Sequence, residues 1–108
     1  MAKTRAIIKR PDEPYGHMCN ISTTLENLQK IVEGYIESVT IRPGLVIICN
    51  EEGKLVGLPF NRALRDEEGR VYDIVAGTFF LCQAPADGED FEGLTEEQVE
   101  FGMTRFRH

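Results

Sequence analysis

The chain has 108 residues, 42% of them apolar and 28% charged, with a net charge of −6. That is one domain by length, with enough apolar content for a single packed core and a composition unlike that of a disordered segment. A phosphate backbone calls for a basic stripe, so this charge balance argues against nucleic acid as a partner. No apolar run approaches the roughly 20 residues of a membrane span, and no signal peptide is visible.

The charge is uneven. Residues 84–108 carry a net −5 and residues 1–83 only −1, so a near-neutral body precedes an acidic tail. The three cysteines, Cys19, Cys49 and Cys82, are odd in number and lack C-x-x-C spacing. Cys49 and Cys82 sit in apolar runs, where a free thiol behaves as a small hydrophobe. That usage fits a reducing cytoplasm better than a disulfide framework.

In chain order, residues 3–10 (KTRAIIKR) read as a first strand, with Lys3, Arg5, Lys9 and Arg10 as a solvated basic edge. The segment PDEPYG, with prolines at 11 and 14, forces a loop, and His17 and Cys19 are read as part of it. Residues 23–33 read as a helix, with Thr23 and Glu26 as a capping box. Leu25, Leu28 and Val32 form its apolar stripe, and Gly34 its stop.

Residues 35–41 are rich in β-branched and aromatic types and read as a strand. After Pro43-Gly44 comes Leu45-Val46-Ile47-Ile48-Cys49, apolar at every position, as a central strand covered on both faces would be. Asn50–Gly53 reads as a turn in which Gly53 supplies positive φ, and residues 54–57 as a short return strand. Pro59 ends it, and Asn61 reads as the N-cap of one helical turn, Arg62-Ala63-Leu64.

Residues 71–83 are strand material interrupted by Gly77, which suggests a bend. Residues 84–93 read as an acidic linker. Residues 94–108 carry a final amphipathic helix, capped by Thr95 and Gln98 and stapled by Leu94 with Val99. Val99, Met103 and Phe106 form its stripe. The expectation is α+β: a small, mostly antiparallel sheet, one helix packed on it after strand 1, and an appended C-terminal helix.

Catalytic constellations are missing. His108 is terminal, which leaves His17 as the one well-placed imidazole, and zinc wants clustered ligands. Neither G-x-G-x-x-G nor G-x-x-x-x-G-K-[ST] occurs. Glu51-Glu52 and Asp66-Glu67-Glu68 fall in turns, solvated. The expectation is no catalysis, no metal and no cofactor.

Three ordered blocks, TLENLQKIVEGYIESV, GLVIICNEEGKLVGLPFNRAL and YDIVAGTFFLC, resemble a family catalogued as domain of unknown function 3846. Its members are encoded mainly by bacteriophages, plasmids and integrative elements. The resemblance runs from about residue 20 to residue 83, leaving the linker and final helix outside it. The family's pattern favours a second glycine before Gly34, where this chain has Glu33. The resemblance implies a setting, a mobile element inside a bacterium, and no reaction.

Two surfaces stand out as binding candidates. The first is the Asn61-Arg62 exit. Its plain reading is a helix cap worth ~1 kcal/mol. Its sharper reading is a polar pocket in which Arg62 or Arg65 clamps a small anion, with Asn20, Thr23 and Tyr15 as the far wall and Arg70 as a further cation. The second is the last helix, whose Phe101, Met103 and Phe106 exceed what one stripe needs and suit a host or element protein, or a second copy. A non-catalytic binding module heads the functional readings. A nucleotide-signal sponge and a nucleic-acid-associated protein using the basic first strand are the alternatives.

Overall fold

A computed structural model describes residues 3–84 and 90–106; the stretch 85–89 of the expected linker and positions 107–108 of the expected helix lie outside the described residues. In chain order come β1 (Thr4–Lys9), β2 (His17–Ile21), α1 (Leu25–Val32), β3 (Ile36–Arg42), β4 (Leu45–Asn50), β5 (Phe60–Arg65), β6 (Val71–Ala76), β7 (Phe79–Gln83) and α2 (Glu96–Arg105). The class is α+β with antiparallel pairing throughout. The first helix follows the second strand rather than the first, because residues 17–21, expected in a loop, pair with β1. No helix among the described residues is long and apolar enough to cross a membrane.

Five strands form the main sheet in the order β2-β1-β7-β4-β3, and β5 with β6 forms a separate two-stranded sheet. Register runs a continuous row across the main sheet: Met18 opposite Ile7, Ile7 opposite Leu81, Leu81 opposite Ile47, Ile47 opposite Val39. Side chains alternate faces along a strand, so two cores result. Ile7, Leu45, Ile47, Cys49, Phe79 and Leu81 pack with Leu64 and Val75 of the small sheet and with Leu94 and Phe106. Ala6, Ile8, Val46, Ile48, Phe80 and Cys82 pack under Leu28 and Val32 of α1. The unbroken apolar run of β4 is thus explained: all six of its residues are buried, because both faces are covered.

The basic first strand is interior, with neighbours on both sides, and Lys9 is buried. Of its two neighbours, β2 is an edge strand and β7 is interior. On α1, Leu28 and Val32 face the sheet while Leu25 is exposed. Its cap is Thr24, which accepts from Asn27 N at 3.3 Å, one residue later than expected. It ends on Glu33, whose φ of 65° is left-handed, and Gly34 N donates to Gln29 O. The side chain of Asn50 closes this end. Its amide donates to Val32 O (3.0 Å) and Glu33 O (3.2 Å), and its Oδ1 accepts from Glu52 N. Gly34 has no room for a side chain, since a Cβ there would lie 2.6 Å from the Asn50 amide.

Three local expectations fail between residues 50 and 65. Residues 54–57 form turns, with Val56 N donating to Glu52 O, and no return strand. Gly53 has no positive φ; it is required because a Cβ would stand 2.7 Å from Ala76 O. Residues 60–65 are a strand, so Asn61 caps no helical turn. Farther on, the bend at Gly77 is real (φ +85°), and it is the point where the chain leaves the small sheet and enters the large one.

The segment entering α2 is docked: Gln83 and Glu92 form a bridge, Leu94 N donates to Arg5 O, and Leu94 is buried. The capping box of Thr95 and Gln98 is present as read. The helix presents Gly102, not Met103, to the sheet, against Ile7 and Leu81.

Candidate functional site

The β5–β6 hairpin carries two bulges, and each re-aims one side chain, as bulges do. On β5 the register skips Asn61, between the pairs Phe60–Ala76 and Arg62–Val75. Asn61 turns inward and is buried. Its amide donates to Lys9 O and Gly77 O, both at 2.9 Å, and its Oδ1 accepts from Lys9 Nζ at 2.9 Å. It therefore fastens the small sheet to β1 and is spent on structure. The Lys9 ammonium also donates to Arg10 O. Its pKa lies below the usual lysine value, first through burial and then through the nearby Arg62 charge.

On β6 the register skips Tyr72, between Leu64–Asp73 and Arg65–Val71. Tyr72 lines a cleft of about 440 Å³ with Arg42 of β3, Leu64 and Arg65 of β5, and Phe101 and Arg105 of α2. A second lobe of about 390 Å³ adjoins it, sharing Arg65, Asp66, Glu67, Arg105 and Phe106 and adding Arg62. Four arginines thus line one two-lobed cleft between the small sheet and the end of α2.

Their bonding differs from that of the other described arginines. Arg5, Arg10 and Arg70 each reach a carboxylate: Glu96, Glu13, and Asp66 with Glu68. Among the described residues, none of Arg42, Arg62, Arg65 and Arg105 has a carboxylate within ion-pair distance. Arg42 lies 4.5 Å above the Phe101 ring, a cation–π contact. Arg62 donates to Pro14 O, Arg65 to Gly69 O and Arg105 to Arg65 O. Arg62 Nε is buried without a hydrogen-bond partner. Of the two acids at the cleft, Asp66 is already engaged by Arg70 and by the backbone N–H groups of Glu68 and Arg70.

The pocket expected at the hairpin exit is thus partly assembled. Arg62 and Arg65 share a lobe. Asn61 lies behind them, in the core. Tyr15 is half-exposed beside Pro14, the residue whose carbonyl holds Arg62. Asn20 pairs with Arg5, while Asn61 grips Lys9; four residues of strand put these about 13 Å apart. Thr23 is directed to Asp90. Arg70 is committed to its acids. Sequence reasoning missed Arg42 and Arg105, because nothing local marks residues from β3 and α2 as neighbours of β5.

The helix candidates divide. Phe106 is 2% exposed and packs edge-on against Phe79, ring centroids 5.1 Å apart. Phe101 is half-buried under Arg42. Only Met103 faces outward. Five large exposed apolar side chains lie on the hairpin and in the turns before it, Leu55 and Val56 after β4, Phe60 on β5, Val71 and Ile74 on β6, while Met18, Leu25 and Tyr35 are exposed apart from them. The turns lie against β6 through Lys54–Asp73 and Gly53–Ala76.

Burial raises the pKa of all three thiols, Cys49 to about 11 and Cys82 to about 12. They are therefore protonated at neutral pH, the unreactive form. His17 Nε2 lies 3.4 Å from the Glu13 carboxylate. Among the described residues no group of three or more His, Cys, Asp or Glu is placed to hold a metal ion.

Comparison with curated proteins and with solved structures gives no match. One family model matches residues 4–107, described as Domain of unknown function (DUF3846). The match takes in the linker and last helix, which the sequence blocks alone had left outside, in keeping with a helix that completes the core. The chain belongs to the DUF3846 family.

Proposed function

We propose that this chain is a non-catalytic binding module that docks on a protein through the outer side of its hairpin. The observation that carries the reading is the apolar surface kept in water there. Leu55 is 85% exposed, Val56 62% and Phe60 61%, with Val71 and Ile74 beside them in the small sheet. Single exposed hydrophobes are ordinary, but a concentration of them is the usual mark of a contact surface. A two-stranded sheet is also marginal alone and presents free edges, which partners extend by strand addition. The setting proposed with it is that of an accessory protein of a bacteriophage or mobile element, in a bacterial cytoplasm, acting on a host or element protein.

The test is site-specific photocrosslinking in bacterial cells. A photoreactive residue replaces Phe60 in one variant and Lys30, on the exposed side of α1, in another. The expected result is one discrete protein adduct from position 60, none from position 30, and loss of that adduct when Leu55→Asp and Val56→Asp are added. Equal adducts from both positions, or indifference to the two aspartates, would overturn the reading.

A further inference from the structure

We infer that the cleft between β5, β3 and the end of α2 is a binding site for a nucleoside phosphate. Four observations converge. The chain carries a net charge of −6, so cations have no shortage of carboxylates to pair with. Yet among the described residues the four arginines lining this cleft reach none within ion-pair distance, while the other described arginines do. Guanidinium groups match phosphate oxygens two at a time, and several converging on one concavity is how such anions are held.

Second, Arg62 keeps a buried Nε–H without an acceptor. Buried donors are nearly always satisfied, so this one marks hydrogen-bonding capacity that the protein itself leaves unused. Third, the lobes differ in chemistry. The smaller one brings Arg62, Arg65 and Arg105 together and suits the phosphate groups. The larger adds Tyr72, Phe101 and the Arg42 guanidinium stacked on Phe101. Flat aromatic and guanidinium faces are the surfaces on which a nucleobase stacks. Fourth, lobes of about 440 and 390 Å³ fall within the range of about 300–1,000 Å³ usual for small-ligand sites.

Glu67 also lines both lobes and sets a limit. Its carboxylate opposes a phosphate at close range and accepts from a sugar hydroxyl or a base amino group instead. The site is separate from the apolar surface of the previous proposal, so either stands without the other.

Isothermal titration of the purified chain with adenosine, guanosine, cytidine and uridine diphosphates and with inorganic pyrophosphate tests the assignment. One nucleoside diphosphate is expected to bind one-to-one and more tightly than pyrophosphate. Arg62→Gln with Arg65→Gln should weaken it by about ten-fold or more for each charge removed. Tyr72→Ala should weaken the nucleotide and leave pyrophosphate unchanged, and Arg10→Ala, outside the cleft, should change neither. Thermal unfolding midpoints of the variants report whether each is folded. No binding of any probe at millimolar concentration and low salt overturns the site. Pyrophosphate binding as tightly as every nucleotide, with Tyr72→Ala silent, overturns the nucleoside assignment.

Discussion

Asn61 shows how one residue type serves two purposes that look identical locally. An asparagine two positions after a proline, ahead of Arg-Ala-Leu, carries the signature of a helix cap. The structure uses it as a buried fastener between sheets, with partners 52 and 16 positions away. Magnitude separates the two roles. Loss of a cap costs ~1 kcal/mol. Removing this side chain orphans two buried carbonyls and weakens the tether of a buried ammonium, which is worth roughly 3 kcal/mol. Asn61→Ala should therefore lower the unfolding free energy by about 3 kcal/mol in urea titrations, and a loss near 1 would mean the bonds to Lys9 and Gly77 contribute little. Glu33 makes the reverse case. It holds a left-handed φ of 65° at the end of α1, a conformation that costs a residue with a Cβ about 1 kcal/mol. Its side chain is exposed, and the bonds that hold the residue, its N–H to Gln29 O and the Asn50 amide to its carbonyl, run through backbone that a glycine keeps. Glu33→Gly should raise stability by about 0.5–1 kcal/mol in the same titrations.

Elements with a repeating pattern were legible from sequence, and those set by distant partners were not. The run at 45–49 announced a strand covered on both faces, and both helices and their stopping points lie within a residue or two of the reading. β2 escaped because HMCNI alternates only weakly and, as an edge strand, has one face in water. β5 escaped because its bulge at Asn61 breaks the alternation that would have marked it. Residues 54–57 read as a return strand because Leu55 and Val56 are strand formers; they are apolar without being inside. The same distinction decided the candidate site. Arg62 and Arg65, on one strand, were legible together. Arg42 and Arg105 joined them only through tertiary packing, and Arg70 dropped out by pairing locally with Asp66.

At the scale of the molecule, the main sheet separates its two buried thiols. Cys49 faces the small sheet and Cys82 faces α1, so they cannot pair, and their burial makes stability depend on pH. An unfolded thiol ionises near pH 9, while the folded ones hold their protons to about 11 and 12. The native state then binds more protons than the unfolded one above pH 9. Stability is whole below that point and falls as pH rises through it, by about 1.4 kcal/mol per pH unit for each thiol. Lys9 acts in the opposite sense. Its lowered pKa means that the buried charge costs stability until it deprotonates, and that cost fades as pH approaches 10.5. With two thiols against one lysine, unfolding free energy should fall between pH 9 and pH 10.5. Cys82→Ala should start less stable at neutral pH but lose less over that range. A level profile in the parent chain would contradict the burial of both sulfurs.

The order of strands in the main sheet also bears on how this chain comes to be folded. β1 is made first, yet its inner neighbour, β7, begins at residue 79, and the helix resting on β1 comes later still. The first strand therefore emerges from synthesis with Ile7 lacking the late surfaces, Leu81, Leu94 and Phe106, that bury it. Contacts so far apart in sequence close slowly. The order of elements therefore predicts late, concerted folding, completed once β7 and α2 are present to enclose the strand that led the way.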